Sequence, residues 1–215
     1  MRLLLFFIAL ILTIVLITFY YKPKQLQEHR TPELITPAPV LPTKEELQLI
    51  KLKNHVLELK PFISKKRLSQ DYCFLIDMSL PSGKKRFFVY DLQKDTIVLS
   101  GLVSHGSCNN HFLEQPQFSN IVNSGCSSVG RYKIGYSYKG NFGKAYKLYG
   151  LDSTNSQAFN RAVVLHAYDC VPDYEVDPQT ICNSLGCPMI SYKFLSDISK
   201  IIDHSQRPIL LWIFE

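Results

Sequence analysis

The chain has 215 residues, of which 24 are Lys or Arg and 18 are Asp or Glu, and its net charge is +6. A chain of this length accommodates one ordinary domain with short appendages. Its basic residues are scattered along the sequence, whereas a nucleic-acid-binding protein concentrates them in patches or stripes. We therefore expect one folded domain and no nucleic-acid partner.

Residues 1–21 are predicted to form a transmembrane anchor. The stretch 3–21 contains no charged residue, Gly or Pro, and it is flanked by Arg2 on one side and by Lys22 and Lys24 on the other. A helix of this length rises about 28 Å, close to the thickness of the hydrocarbon core. No small-residue cleavage site follows the stretch, so we expect an anchor that is not removed. The flanking charges are balanced and leave the orientation open.

Residues 22–43 are predicted to be a linker and residues 44–69 a helical lead-in to the domain. The linker contains five prolines and few apolar side chains, a composition that stays extended. The pair Thr43 and Glu46 matches a capping box, and apolar residues then recur at near-helical spacing. We expect a helix of about four turns that ends near Leu59.

The remaining segment, 70–215, is predicted to be mainly β and to hold the functional site. Short runs of aromatic and β-branched residues alternate with turns, which indicates a meander of antiparallel strands. Strands are predicted at Tyr72–Met78, Arg86–Asp91, Thr96–Ser104, Arg131–Tyr138, Ala162–His166 and Ile209–Phe214. A glycine-containing turn at 139–143 closes a further hairpin, and apolar spacing predicts a second helix over 192–204.

The six cysteines, Cys73, Cys108, Cys126, Cys170, Cys182 and Cys187, allow three interpretations. An even number in a domain outside the cytosol favours three disulfides. A zinc site is the second interpretation, and its donors would be His166, Cys170, Cys182 and Cys187, although the usual close Cys-x-x-Cys pair is missing. The third is a free catalytic thiol beside structural disulfides.

The segment 183–188 favours a free thiol at Cys187. Small residues precede the sulfur and a proline follows it, which is typical of an exposed turn, and Gly186 lets the backbone approach a reacting carbonyl group. A thiol with a pKa of about 8.5 is mostly protonated at neutral pH and needs a base. His166, at the end of an apolar strand, is the predicted base, and His105 is the alternative.

Three segments, taken in order, resemble the signature of the L,D-transpeptidase catalytic domain, the cysteine enzymes that cross-link or trim bacterial peptidoglycan. They are Ser127–Tyr132, Leu165–Ala167 and Ser184–Cys187, and the resemblance extends over about residues 70–215. The segments Leu80–Arg86, Val103–Gly106 and Gly186–Pro188 resemble the murein L,D-transpeptidase branch. The resemblance implies a mainly β fold, a β-sandwich of mixed and antiparallel strands with a few peripheral helices.

By this resemblance the protein is expected to be a peptidoglycan L,D-transpeptidase with Cys187 as nucleophile and His166 as base. The thiol would attack the bond between diaminopimelate and D-alanine in a stem tetrapeptide, and an amine acceptor would resolve the thioester to a cross-link. Ser184 and Gly186 complete the implied catalytic motif. The predicted substrate-binding residues are His105 and Ser127, which lie in the resembling segments, and the cations Arg131 and Arg161. The expected partners are stem peptides and, through the anchor, the membrane. The domain would lie in the cell envelope outside the cytoplasmic membrane, and neither a cofactor nor a metal is expected.

Three residues depart from the family pattern. Leu185 stands where many members have His or Lys, Ala167 replaces the glycine after the base, and Met189 stands where Arg or Asn is common. A methionine cannot pair with a carboxylate. Another cation must therefore bind the charges of the stem peptide, and the candidates are Arg131, Lys144 and Arg161.

With Cys187 free, we predict the disulfides Cys170–Cys182 and Cys108–Cys126, and Cys73 as a small buried apolar residue. Two other functions stay open. An L,D-carboxypeptidase or a related cysteine peptidase would use the same thiol and transfer the acyl group to water. A non-catalytic cysteine-rich or zinc-binding envelope protein would use its cysteines for structure alone.

Overall fold

The computed structural model describes residues 11–18, 20–21 and 41–215. Contacts divide the chain into two compact units, Met1–Pro42 and Thr43–Glu215. In the first unit, residues 11–18 and 20 are helical. Within the described ranges, no helix is long and apolar enough to cross a membrane. Most of the predicted anchor and linker lies outside the described residues, so both stay predictions.

Helix α1, Lys44–Lys65, opens the second unit. The predicted capping box is present: the Thr43 hydroxyl accepts a hydrogen bond from the Glu46 amide at 3.2 Å, and the Glu46 carboxylate accepts one from the Thr43 amide at 2.7 Å. The helix runs about two turns beyond its predicted end, although Pro61 lies inside it. Its buried side chains are Leu52, Val56, Leu59 and Ile63. Packing of the last turn against the domain offsets the backbone hydrogen bond that a proline cannot donate.

The strands of the second unit form one sheet. They are β1 Tyr72–Asp77, β2 Phe87–Asp91, β3 Thr96–Gly101, β4 Gly130–Gly140, β5 Gly143–Gly150, β6 Val164–Ala167, β7 Met189–Ile190 and β8 Leu210–Phe214. Their order across the sheet is β3-β2-β1-β8-β4-β5-β6-β7. The mainly β architecture with mixed strands is thereby confirmed. The strands belong to one continuous sheet, whereas a sandwich has two.

Strand β8 lies in the centre of the sheet although it is last in the sequence. It pairs in parallel with β1 and antiparallel with β4. Four of its five residues are buried. A strand that is apolar on both faces needs a position where both faces are covered. The predicted meander of antiparallel neighbours is therefore interrupted at β8, and the short pairing of β6 with β7 is also parallel.

Different helices cover the two faces of the sheet. Helix α2, Tyr192–His204, has the predicted bounds and packs its buried side chains on one face. Its N-cap Ser191 accepts a hydrogen bond from the Phe194 amide at 3.1 Å. Helix α1 packs on the opposite face, against side chains of β1, β2 and β8.

The face beneath α1 continues across β4, β5 and β6, and His166 lies on it. Residues that are paired across antiparallel strands point to the same face. Leu210 beneath α1 pairs with Lys133, and Lys133 pairs with Tyr149. Tyr149 and Ala145 are four residues apart on β5 and share a face, and Ala145 pairs with His166. One part of this face is therefore packed under α1, and another part carries His166.

Arg86 immediately precedes β2 and is completely buried. Its Nε and Nη2 donate to the carbonyl oxygen of Val103 at 3.0 and 2.9 Å, and its Nη1 donates to that of Leu80 at 3.0 Å. Nη2 also donates to Nδ1 of His105 at 2.9 Å. Burial lowers the pKa of Arg86 to about 10, and the charge of Asp77 opposes that shift. The guanidinium is protonated at neutral pH and holds the segment that follows β3.

Replacing Arg86 with Met should destabilise the domain strongly. The substitution leaves the carbonyl groups of Leu80 and Val103 without their donor, and each buried unpaired group costs about 1–3 kcal/mol. We expect the free energy of unfolding, measured by urea denaturation, to fall by about 3–5 kcal/mol. Arg207→Met is the matched control at an exposed arginine, and it should change this free energy by less than about 0.5 kcal/mol. Equal stability of Arg86→Met and the wild type would contradict the role of this side chain.

Candidate active site

Cys187 and His166 line the same cavity, which has a volume of about 570 Å³. Its walls come from the segment 107–112, from Phe142 in the β4–β5 turn, and from the segment 182–189 that leads into β7. The cavity lies on the part of the sheet face that carries His166. It brings together the two side chains that the sequence predicts to be catalytic.

Cys187 is a free, half-buried thiol. The backbone nitrogen of Val164 donates to its Sγ at 3.5 Å, and the thiol lies 3.9 Å from the carbonyl oxygen of Ala162. Val164 and His166 are two positions apart on β6, so their side chains share a face of the strand. The sulfur therefore lies against the strand that carries the predicted base.

His166 is held in one orientation. Only 2% of the residue is exposed, and its Nδ1 lies 3.0 Å from the carbonyl oxygen of Ala167. A carbonyl oxygen only accepts, so Nδ1 carries the proton and donates, which leaves Nε2 of the neutral ring as an acceptor. The ring stacks on Phe142, with 4.6 Å between the centroids and 21° between the planes. These contacts fix the ring and make Nε2 the basic atom.

Burial sets the protonation states of the two residues. It raises the pKa of the Cys187 thiol above its ordinary value, while the amide of Val164 and the charge of Arg161 oppose that shift. It lowers the pKa of His166, against the effect of the hydrogen bond with Ala167. A thiol with a raised pKa and an imidazole with a lowered pKa are both neutral at about pH 7. The pair therefore rests as thiol and imidazole, and formation of a thiolate would require the thiol to lose its proton.

Hydrogen bonds shape the turn that carries Cys187, the predicted nucleophile. The Ser184 amide donates to the carbonyl oxygen of His105 at 2.8 Å, and the Ser107 amide donates to that of Ser184 at 2.8 Å. The Ser184 hydroxyl accepts from the Gly186 amide at 3.0 Å. Gly186 has a φ of +109°, and a Cβ atom there would lie 2.6 Å from the carbonyl oxygen of Cys126. Ser184 and Gly186 therefore both contribute to the conformation of the turn.

His105 and Ser127 form their hydrogen bonds within the protein. His105 is buried; its Nδ1 accepts from Arg86, and its Nε2 donates to the carbonyl oxygen of Leu113 at 2.9 Å. The hydroxyl of Ser127, also buried, accepts from the Gly106 amide at 3.0 Å. Both side chains thus support the loops around the cavity.

Arg131 and Lys144, two cations that the sequence offers for substrate carboxylates, have carboxylate partners in the protein. Arg131 donates from Nε to Asp152 at 3.0 Å, and its guanidinium lies 4.0 Å from the ring centroid of Phe62 in α1. Lys144 pairs with Asp203 at 2.6 Å. Each of these charges is therefore neutralised by a neighbour.

Arg161 lies close to Cys187 and donates hydrogen bonds to a neighbouring loop. Its Nη1 donates to the carbonyl oxygen of Ser119 at 2.6 Å and to the hydroxyl of Ser128, and its Nη2 donates to the carbonyl oxygen of Cys126. Its charge is close enough to Cys187 to act on the pKa of the thiol. Nη1 and Nη2 of Arg161 thus donate to this loop. The positive charge of Arg161 lowers the pKa of the Cys187 thiol, against the effect of burial.

Two residues contribute to the site in ways that sequence reasoning missed. Phe142 lies in the predicted glycine-containing turn, but its stacking on His166 depends on the pairing of β5 with β6. Asn183 lies in the segment of the nucleophile. Its Oδ1 accepts from the Leu113 amide at 2.6 Å, and its Nδ2 donates to the carbonyl oxygen of Leu113 at 3.0 Å. Asn183 thus joins two loops that flank the cavity.

The two predicted disulfides, Cys108–Cys126 and Cys170–Cys182, are present. Cys73 is completely buried beneath α1, as predicted, and burial raises its pKa to about 12. Cys170 and Cys182, which form the second disulfide, are two of the four donors of the zinc site that the sequence leaves open. Among the residues that the structure describes, no group of three or more His, Cys, Asp or Glu side chains is arranged to hold a metal ion.

A known family matches most of the chain. The family model described as the L,D-transpeptidase catalytic domain covers residues 43–212. The chain belongs to the L,D-transpeptidase catalytic-domain family. This confirms the resemblance seen in the three motif segments, and the matched region of this L,D-transpeptidase domain includes helix α1.

Solved structures that are similar to this L,D-transpeptidase domain have low sequence identity. The helical cell shape determining protein Pgp2 from Campylobacter jejuni is 12% identical with a TM-score of 0.43, and the match covers 67% of this chain and 47% of that chain. An L,D-transpeptidase from Xylanimonas cellulosilytica is 12% identical with a TM-score of 0.37, and the match covers 69% and 62%. The chain thus spans about half to three-fifths of these structures. No curated protein sequence matches it significantly.

His105 should make the stability of the L,D-transpeptidase domain depend on pH. Burial and the charge of Arg86 lower the pKa of His105 from 6.5 to about 4. Between these values the unfolded chain binds a proton that the folded chain does not, so the contribution to stability is full above pH 6.5 and is lost as the pH falls. We expect the thermal midpoint to decrease over this interval, and to decrease less in His105→Gln. His204→Gln, at an exposed histidine, is the control with the wild-type slope. Equal slopes for wild type and His105→Gln would show that His105 is not buried in its neutral form.

Alkylation of the folded protein should distinguish its two free thiols. Cys187 lines the cavity, whereas Cys73 is completely buried and has a pKa of about 12. We expect iodoacetamide to modify Cys187 alone, at a rate that rises with pH because the thiolate is the reactive form. Peptide mass spectrometry identifies the modified residue, and unfolding in urea should make Cys73 reactive as well. Reaction of Cys73 before Cys187 in the folded state would contradict these placements.

Proposed function

We propose that the protein is a murein L,D-transpeptidase that forms a thioester between Cys187 and a stem tetrapeptide, releases D-alanine and transfers the acyl group to an amine. The observation that carries the proposal is a free thiol and a neutral imidazole in one cavity of a domain of this family. The bond to be broken is the amide between diaminopimelate and D-alanine.

His166 and Cys187 act together in the first step of the proposed reaction. Nε2 of His166 takes the thiol proton while Sγ forms a bond to the carbonyl carbon of the donor peptide. The carbon–nitrogen bond then breaks, and the imidazolium gives the proton to the departing amine of D-alanine. The acyl group remains on Sγ as a thioester. Because both residues start neutral, the site holds no buried ion pair before the substrate arrives.

An acceptor resolves the thioester in the second step. Nε2 of His166 accepts a proton from the acceptor amine as its nitrogen attacks the thioester carbonyl carbon. The bond from this carbon to Sγ breaks, and Cys187 recovers its proton from the imidazolium. An amine of a second stem peptide yields a cross-link, whereas water yields a trimmed tripeptide. Exclusion of water from the cavity by the bound peptides would favour the amine.

Two groups stabilise the charge that develops on the sulfur. The Val164 amide donates to Sγ, and the guanidinium of Arg161 acts on the thiol through its charge. Both interactions are stronger with a thiolate than with a thiol. We therefore assign Arg161 an electrostatic role at the nucleophile, and we assign Ser184 and Gly186 the role of holding the turn.

The proposed substrate places the domain in the cell envelope, outside the cytoplasmic membrane. Residues 1–21 would anchor the protein, and residues 22–43 would extend the domain toward the wall. The two disulfides support this location, because disulfides persist in oxidising compartments outside the cytosol.

Substitution of the nucleophile or the base should abolish activity without unfolding the domain. A serine hydroxyl is a poorer nucleophile than a thiol, and a glutamine amide cannot accept the proton. We expect Cys187→Ser and His166→Gln to slow D-alanine release from a soluble tetrapeptide by about 10³-fold or more. Their thermal midpoints should stay within about 3 °C of the wild type. His204→Gln, at an exposed histidine, should keep full activity.

Mass analysis of the enzyme and of the products completes this test. A covalent adduct on Cys187 together with a cross-linked dimer is the expected result. D-alanine release by Cys187→Ser at the wild-type rate would contradict the assignment of Cys187 as the nucleophile. Tripeptide without any dimer, in the presence of excess acceptor, would instead assign the protein as an L,D-carboxypeptidase.

A further inference from the structure

Helix α1 has apolar side chains on two opposite sides. Its buried side packs against the sheet. Leu47, Ile50 and Leu57 are instead 53%, 51% and 62% exposed. With 3.6 residues per turn, these three residues and the exposed Asn54 fall on one line along the helix, opposite the buried side. We call Leu47, Ile50, Asn54 and Leu57 the outer stripe.

The outer stripe presents more apolar surface than a helix that faces water. A surface helix packs one apolar side on its domain and shows polar side chains on the other side. Single exposed apolar residues are common, whereas a row of them marks a contact surface. Because the row lies on the side of α1 opposite the sheet, another helix can approach it along its length.

The spacing of the outer stripe is that of a coiled-coil seam. Its residues follow one another at intervals of three, four and three residues, so they occupy positions a, d, a and d of two heptad repeats. Two helices with this pattern pack side by side, and the a and d side chains of each insert between side chains of the other. A second copy of this chain supplies such a partner helix.

Asn54 distinguishes between the possible arrangements of two such helices. In a parallel pair without a shift, residues at the same a position face each other, so the two Asn54 amides can form a hydrogen bond. In the antiparallel pair, each Asn54 would lie against Ile50 of the other copy and would lack a polar partner. A lipid surface would also bury the amide without a partner. Asn54 therefore favours a parallel pair of protein helices.

The charges beside the outer stripe are complementary in the parallel arrangement. Lys53 and Glu58 occupy positions g and e, which meet across such a pair of helices. The Glu58 carboxylate forms no ion pair within residues 41–215. Lys53 pairs with Asp95 at 3.2 Å, but 42% of its side chain is exposed and an ammonium has three donors. A two-fold axis would therefore create two pairs between Lys53 and Glu58.

The same spacing limits the length of the contact. Lys51 could face Glu46 of the other copy, but Asp77 already holds it at 3.0 Å, so it adds only longer-range attraction. Lys60 and Lys65 would repel each other, and they lie beyond Leu57, the last residue of the outer stripe. The contact thus extends over about three turns of each helix. An interface of this size corresponds to a weak dimer.

We propose that the outer stripe joins two copies of this chain in a parallel dimer without a shift between the helices. Leu47, Ile50 and Leu57 pack on their counterparts, the two Asn54 amides form a hydrogen bond, and Lys53 pairs with Glu58 of the second copy. The inference does not rest on the proposed function, because none of these side chains lines the cavity that holds Cys187.

Disulfide cross-linking of the full chain in an excess of detergent micelles tests this inference. Leu47→Cys is combined with Cys187→Ser, so that the buried Cys73 is the only other free thiol. Two residues at the same a position of a parallel pair are close enough for a disulfide. We expect Leu47→Cys to form linked dimers at least about tenfold faster than Leu49→Cys, which lies outside the outer stripe and leaves the sulfurs too far apart.

Removal of apolar side chains from the outer stripe should weaken the pairing. Addition of Ile50→Gln and Leu57→Gln to Leu47→Cys should slow the linking at least about tenfold. Glutamine is a good helix former, so α1 should be retained, and thermal midpoints check this. The matched control adds Ile121→Gln and Val122→Gln, which remove two exposed aliphatic side chains at another site. Its rate should equal that of Leu47→Cys.

Three results would overturn the inference. The first is an equal rate for Leu47→Cys and Leu49→Cys, or no effect of the two glutamines in the outer stripe. The second is linking only in a mixture of Leu47→Cys and Leu57→Cys chains, which would show an antiparallel pair. The third is a blue-shifted emission from a fluorophore attached in Leu47→Cys when phosphatidylglycerol vesicles are added, without any linking of the unlabelled variant. This result would assign the outer stripe to a lipid surface.

Discussion

A buried guanidinium connects the sheet to the turn that carries Cys187. Arg86 donates to the carbonyl oxygen of Val103 and to Nδ1 of His105, and the carbonyl oxygen of His105 accepts from the Ser184 amide. Cys187 follows three residues later. A buried charge is costly unless hydrogen bonds satisfy it. The buried acceptors around Arg86 would likewise be unpaired without the guanidinium. The segments that follow β3 and precede β7 are far apart in the sequence, and this mutual requirement keeps them together.

The burial that orders the turn also determines its chemistry. Thiols in electropositive, exposed surroundings rest as thiolates, whereas burial keeps Cys187 protonated and His166 neutral. Arg161 opposes the effect on the thiol, but its N–H groups are engaged by carbonyl oxygens and a hydroxyl of the neighbouring loop. Formation of a thiolate therefore requires transfer of the thiol proton to an acceptor such as His166. A thiol that rests in the protonated form is also less sensitive to oxidants.

Local patterns in the sequence predict much of the local structure, and interactions over long separations account for what the patterns miss. Helix α2 and the capping box of α1 follow from spacing and turn chemistry. Both disulfides follow once Cys187 is taken as the free thiol, and the structure places Cys187 and His166 at one cavity. The sequence predicts β5 only as one arm of a hairpin because lysines and glycines weaken its alternation, and β7 has only two residues. The central place of β8 follows from pairing with β1 across most of the chain. The sequence offers Arg131 as a cation for substrate carboxylates, but it does not reveal that Arg131 pairs with Asp152 in the folded domain.

One face of the sheet packs under helix α1 in one part and carries His166 in another. The register of the strands decides which side chains point to this face. Helix α1 buries the part formed by β1, β2 and β8, while the part that continues across β4, β5 and β6 carries His166. Side chains alternate along a strand, so a shift of one residue in β6 would turn His166 into the core beneath α2. The pairing of Ala145 with His166 is therefore as much a part of the site as the imidazole itself.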